Sequence, residues 1–208
     1  LCLDNAFGVK PPANGRIVRN LIQGINFVMS HILHFYHLAA LDYVKGPETP
    51  PFIPRYEYDG VYRLPKAAND KAVEHYVQAL DIRKKCHECL AVFGAKAPHT
   101  TVFTPGGVTE LVTPEKIAQY KGYLDEIISF VDDVYIPDVL AVADFYSEYF
   151  EIGVGCKNML AYGVFPLTDE DDPDGQNQLI KRGRYTKGKF GSVDPQKITE
   201  DVKFSWFD

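Results

Sequence analysis

A mainly α fold is predicted for this chain: a helical bundle core with long buried helices and a minor β hairpin. Three observations predict it. The stretch GRIVRNLIQGINFVMSHILHFYHLAALDYV keeps helical periodicity for about 28 residues, roughly 42 Å at the helical rise per residue. Later stretches open with helix-entry chemistry and carry apolar residues at steps of three and four. Strand-like alternation is confined to one Gly-punctuated piece near the end, LIKRGRYTKGKFGSVD.

The first helix is placed from about Arg16 to about Tyr43. Apolar residues lie on nearly every side of it, so burial among other helices is expected. Arg19, Asn20, Gln23, Asn26, His31, His34 and His37 break any apolar run of about 18 residues, which argues against a membrane span. Six polar residues, Arg19, Gln23, Asn26, Ser30, His34 and His37, fall within a wedge of roughly 80° on an α-helical period. A buried polar group without a partner costs about 1–3 kcal/mol, so this stripe is expected to find partners on other elements.

After the turn-rich KGPETPPFIPRYEYDG, a second helix is expected from Asp70 to about Phe93 with Asn69 as its cap. GAKAPHTTVFTPGGV is a loop with a short extended piece. A third helix has Thr113 as N-cap, Pro114 at its first position and Glu115 beside the positive dipole end, and runs to about Val131. A fourth follows Pro137, from about Asp138 to Glu151. The acidic TDEDDPDG begins an exposed loop and hairpin, 168–192, within one partial domain spanning 1–208.

Composition sets limits on function. With 208 residues and 46% apolar content the chain can bury a real core. A net charge of −6 leaves no basic surplus to neutralise phosphates, which argues against nucleic acid as a partner. Four scattered cysteines do not make a disulfide-framed module. The chain opens at Leu1 without an initiator Met or signal segment and stops on KFSWFD without a cap or polar tail. Both ends are therefore read as internal to a longer polypeptide.

Cys86 and Cys89 in RKKCHECLAVFG have the spacing of zinc and redox pairs. They lie some four turns into the second helix, far from the N-terminal dipole that activates redox thiols, and the other cysteines stand alone at positions 2 and 156. Ala79, Ile82, Cys86, Cys89 and Phe93 share one helical face, so core packing is expected of both thiols, ahead of metal or redox roles. His31, His34 and His37 cannot converge on one ion, because the outer two are separated by a net rotation of about 240° on an α-helix. Gly106-Gly107 lacks the lysine and strand-to-helix frame of a phosphate loop. No serine sits in a nucleophile elbow. Taken alone, these residues define a helical chain with an unusual polar stripe.

The blocks of the chain, however, resemble those of a known family. HILHFYHLAALDYV (31–44) is similar to the central helix of the nickel-iron hydrogenase large subunit, including its nickel-iron-selenium variants. DNAFGVKPPANGRIVRNLI, RKKCHECLAVFGAKAPH, VFTPGGVTE, GVGCKNMLAYGVFP and EDVKFSWF resemble further blocks of that family in the same order. The resemblance implies a hydrogenase: reversible heterolytic cleavage of dihydrogen, with electrons leaving through the iron-sulfur clusters of a small subunit. It implies a nickel-iron centre with carbonyl and cyanide ligands on iron, held by two Cys-x-x-Cys pairs that lie outside this chain, one before Leu1 and one beyond Asp208. No catalytic or metal-ligating residue is therefore expected within 1–208. Leu38 matches a leucine that narrows an apolar gas channel, and His99 matches a histidine facing the proximal cluster of the small subunit. The family's habit implies a periplasmic or membrane-associated location, with the cytoplasm as the alternative. Two rivals are a nickel-free relative in a quinone-reducing respiratory complex and a plain structural helical protein.

Overall fold

The computed structural model describes residues 2–55, 62–168, 170, 172, 174–204 and 206. Part of the turn-rich segment (56–61), part of the acidic run (169, 171, 173) and part of the final block (205, 207, 208) lie outside the described residues. The chain divides into two compact units, Leu1–Ile152 and Gly153–Asp208.

The first unit is helical. A short α1 (Cys2–Phe7), which no periodicity announces, precedes α2 (Ala13–Ile32). The backbone continues past α2 as a π-helical segment, Leu33–Ala39, and a 3-10 turn, Ala40–Asp42. The long first helix is thus present over nearly its predicted span, but Leu33–Ala39 is wound wider than an α-helix and Ala40–Asp42 tighter. α3 (Lys66–Gly94) starts four residues before the predicted Asp70, with Pro65 at its cap. Asn69 is inside the helix, and its amide clamps Lys45: the Lys45 N–H donates to Asn69 Oδ1 at 2.8 Å, and Asn69 Nδ2 donates to the Lys45 carbonyl at 3.0 Å. An Asn ahead of an apolar run suits either position, and here a tertiary partner takes its side chain. α3 ends at Gly94, where an added Cβ would lie 2.8 Å from Thr100 Cγ2, so a larger residue there would have to displace Thr100.

Thr113 caps α4 (Pro114–Phe130) as expected, accepting from the Lys116 N–H. The predicted break between the third and fourth helices does not occur. A second π-helical segment, Val131–Tyr135, joins α4 directly to α5 (Ile136–Phe145), with Pro137 inside the run and a 3-10 turn, Ser147–Glu151, after it. Proline lacks an N–H and collides with the carbonyl four residues earlier, which falls in the widened turn; the extra residue there absorbs the collision.

α3 packs against both α2 and α4. The core joins Val18, Ile22, Ile25, Ile32 and Tyr36 to Ala79, Ile82, Cys86, Cys89 and Phe93, and these to Tyr120, Ile127 and Phe130. Contrary to expectation, α2 is not buried on every side. Ile17, Phe27, Gln23, Ser30 and His34 are exposed, because this layer of helices covers one face only. No helix among the described residues is long and apolar enough to cross a membrane.

Between α3 and α4, β1 (Phe103–Thr104) and β2 (Gly107–Val108) form a small hairpin with Phe103 opposite Val108. Its tip is Pro105-Gly106, and Gly106 has φ +83°, the left-handed value that the third position of a type II turn requires. In the second unit, β3 (Met159–Ala161), β6 (Gly183–Thr186) and β7 (Lys189–Gly191) make an antiparallel sheet, and β4 (Val164–Pro166) pairs with β5 (Gln178–Ile180). The predicted hairpin is β6–β7, turning at Lys187-Gly188 with both residues at positive φ, as a two-residue I′ turn demands. β3 and β4 are additional strands, three residues each, too short to show alternation.

Candidate functional site

Two polar clusters organise the helical unit. At its N-terminal end the Asp4 carboxylate is buried and meets Arg19: Nη1 donates to Oδ2 at 2.6 Å and Nη2 to Oδ1 at 3.3 Å. The same guanidinium donates to the Thr104 carbonyl at 2.7 Å and, through Nε and Nη2, to the Gly107 carbonyl at 3.1 and 2.9 Å. The Gly106 N–H completes the cluster by donating to Asp4 Oδ1 at 2.7 Å. Arg19 thus finds its expected partners, tying α1, α2 and the Pro-Gly-Gly turn together. Its hydrogen bond, followed by that from Gly106, holds the Asp4 carboxyl well below the usual carboxylate range.

A second cluster lies where the first π segment meets α3 and α5. Tyr36, 1% exposed, donates its O–H to Asp138 Oδ2 at 2.7 Å, and His75 Nδ1 meets the same oxygen at 2.8 Å. Burial first, and the Asp138 bond second, push the Tyr36 hydroxyl above its ordinary value, so it stays a donor. A cavity of about 240 Å³ opens beside the cluster, lined by apolar residues such as Phe35, Ala72 and Ala141 together with Lys71 and Asp133. Sequence reasoning missed this cluster. Asp138 enters the sequence reading only as the approximate start of a helix and His75 carries no motif, and the bonded pairs Tyr36–Asp138 and His75–Asp138 are 102 and 63 residues apart in the chain.

The histidine string does not converge. His31 and His34 are exposed, whereas the π winding carries His37 toward α3, where Nε2 faces the Tyr76 carbonyl at 3.3 Å. Burial lowers the His37 pKa, leaving it neutral and donating through Nε2. Ser30 bonds back to the Asn26 carbonyl at 2.8 Å. Of the six-membered stripe, then, Arg19 and His37 bond to other elements, while Gln23, Ser30 and His34 are exposed.

Leu38, in the π segment, is 65% exposed on the side away from the core. His99 is exposed in the loop after α3, follows a cis Ala97–Pro98 peptide and holds φ +61°, a left-handed backbone unusual for a residue with a side chain. Leu38 and His99 sit on different elements, and the structure does not bring them into one site.

Cys86 and Cys89 are both 0% exposed and pack in the core of the helical unit. Cys89 donates weakly to the Tyr120 carbonyl at 3.8 Å. Burial pushes both thiols up to about 12. At pH 8 such a thiol is ionised roughly once in ten thousand, against about a quarter for a free cysteine. Iodoacetamide at pH 8 is therefore expected to leave Cys86 and Cys89 unmodified in the native protein and to label them promptly in denaturant, read by peptide mass spectrometry. Prompt native labelling of either would contradict core packing.

The described residues of the first unit define a helical core element braced by buried polar ties. The chain belongs to the nickel-dependent hydrogenase family, whose model matches residues 1–48 and 45–208. It is 44% identical over 214 residues to the periplasmic [NiFeSe] hydrogenase large subunit of Desulfomicrobium baculatum, covering 99% of this chain and 40% of that protein. It is 29% identical to the uptake hydrogenase large subunit of Rhizobium leguminosarum bv. viciae, covering 99% and 44%. The Ni-Fe-Se hydrogenase from D. vulgaris Hildenborough in the reduced state superposes with a TM-score of 0.91 at 45% identity, covering 99% of this chain and 42% of that one. This chain spans about two fifths of the length of these relatives.

The residues at hand do not fit the ligand set of a nickel centre. The midchain thiols are protonated and enclosed by apolar side chains, and no group of three His, Cys, Asp or Glu among the described residues is placed to hold an ion.

Proposed function

We propose that this chain is part of the large subunit of a nickel-iron hydrogenase, which oxidises dihydrogen reversibly and passes electrons to iron-sulfur clusters of a small subunit. Its own task is scaffolding: it braces the helical core, contributes Leu38 to an apolar gas route and presents His99 to the cluster-bearing small subunit. The cysteine ligands of the metal centre, whose iron also carries carbonyl and cyanide, belong outside residues 1–208. The observation that carries this reading is the 44–45% identity to hydrogenase large subunits across 99% of the chain. A leucine suits a conduit for a small neutral gas because an apolar wall neither binds it nor holds water. A periplasmic location is supported by the 44% identical relative that is named as periplasmic. The nickel-free respiratory relative is disfavoured, because the matching family model is that of nickel-dependent hydrogenases.

The test is metal analysis and hydrogen-dependent dye reduction. The complete gene product, expressed with its small subunit, is expected to hold stoichiometric nickel and reduce viologen dye under hydrogen; the 208-residue chain alone is expected to hold none. Stoichiometric nickel in the isolated chain would overturn the scaffold assignment. A nickel-free, inactive complete complex would overturn the hydrogenase assignment.

A further inference from the structure

We infer that Asp138, acting with His75 through Tyr36, is a positioning residue that sets the direction of Leu38. The inference rests on the reading that Leu38 borders the gas route. Leu38 lies inside the π-helical segment Leu33–Ala39, where the Ala40 N–H closes on the Phe35 carbonyl five residues back. A π turn holds one residue more than an α turn and is rarely stable without outside support. If the segment relaxed to α winding, side chains after the extra residue would swing by about 100°, one residue's rotation. Leu38 would then no longer face where it does.

The support comes from two other helices. Asp138 Oδ2 takes the Tyr36 O–H at 2.7 Å while His75, on α3, meets the same oxygen at 2.8 Å. Asp138 itself follows the second π segment by three residues, and Tyr135 at the end of that segment meets Phe35 edge-on with ring centroids 5.6 Å apart. Two widened backbones therefore face each other, and one carboxylate ties them. Tyr36 packs against Phe35, Phe130 and Tyr135 on one side and borders the cavity of about 240 Å³ on another, so the bond to Asp138 adds the restraint that its neighbours' packing does not give on the open side. Tyr36 is two residues before Leu38, so what fixes the one fixes the azimuth of the other.

The experiment uses the complete large subunit paired with its small subunit, and measures two quantities. Amide hydrogen exchange at residues 33–39 reports the winding without reference to activity. The association rate constant of carbon monoxide as a gaseous inhibitor reports gas access and does not depend on how much enzyme is active. Leu38→Phe is the benchmark and is expected to slow association about tenfold, the effect of about 1.4 kcal/mol added to the entry barrier. Asp138→Ala and Tyr36→Phe are expected to speed exchange at 33–39 and to alter carbon monoxide association several-fold, shifting the KM for dihydrogen more than kcat. Asp138→Asn, which keeps an acceptor, is expected to restore most of both. If Leu38→Phe acts but Asp138→Ala and Tyr36→Phe leave association unchanged, whatever exchange does, the positioning role is wrong and the gas-route reading stands. If Leu38→Phe also has no effect, the gas-route reading itself fails and takes the inference with it. Should Asp138→Ala fail to assemble, Tyr36→Phe, which preserves the ring, decides.

Discussion

Arg19→Ala is expected to destabilise the protein by roughly 3 kcal/mol, the range for removing one partner of a buried ion pair. The loss has two sources. The Asp4 carboxylate, 5% exposed, would keep its charge with the Gly106 N–H at 2.7 Å but no guanidinium. The Thr104 and Gly107 carbonyls, which Arg19 reaches at 2.7–3.1 Å, would lose a charged donor at the same time. Arg19→Lys is expected to recover only part of the loss, since an ammonium cannot reproduce the fork that engages a carboxylate and two carbonyls together. The cluster also makes stability depend on pH. Folding lowers the Asp4 pKa below its unfolded value, so its contribution is fully present above about pH 4 and is lost as pH falls through that value toward the folded one. Urea unfolding of wild type and Asp4→Asn is expected to show a gap at pH 7 that narrows below pH 4. A gap that is constant with pH would mean that the pair contributes no charge-dependent stability.

What the sequence discloses about this fold is what local chemistry determines. Thr113-Pro114-Glu115 announces the start of α4 because cap, fixed φ and dipole complement are all written within three residues. The burial of Cys86 and Cys89 is equally legible, since their step of three along an apolar face needs no partner to interpret. The π winding of Leu33–Ala39 has no such signature: it is held by Asp138, 102 residues from Tyr36, and nothing in HFYHL records that contact. The same holds for Asn69, where one local pattern fits two positions and a distant backbone chooses between them. Burial of α2 was overestimated because apolar content marks which surfaces need cover, not which elements within this chain provide it. Leu38 and His99 were reached by resemblance of whole blocks; a leucine and a loop histidine carry too little chemistry of their own to be singled out.

Asp138→Ala is expected to cost about 2–4 kcal/mol, because two enclosed donors, Tyr36 O–H and His75 Nδ1, lose one shared acceptor. Asp138→Asn keeps one accepting oxygen and is expected to cost less than half as much. Tyr36→Phe removes a donor but strands nothing charged, since His75 still meets the carboxylate; it is expected to cost about 1 kcal/mol. A double-mutant cycle separates the pair from its surroundings: Tyr36→Phe combined with Asp138→Ala is expected to fall short of the summed single costs by roughly 1 kcal/mol, since the same bond is lost in both. Strict additivity in urea unfolding would show that Tyr36 and Asp138 stabilise the fold independently. The order of the costs follows from the geometry: Asp138 is the acceptor on which α3, α5 and the π-wound end of the first long helix converge, and each donor alone is replaceable in a way the shared acceptor is not.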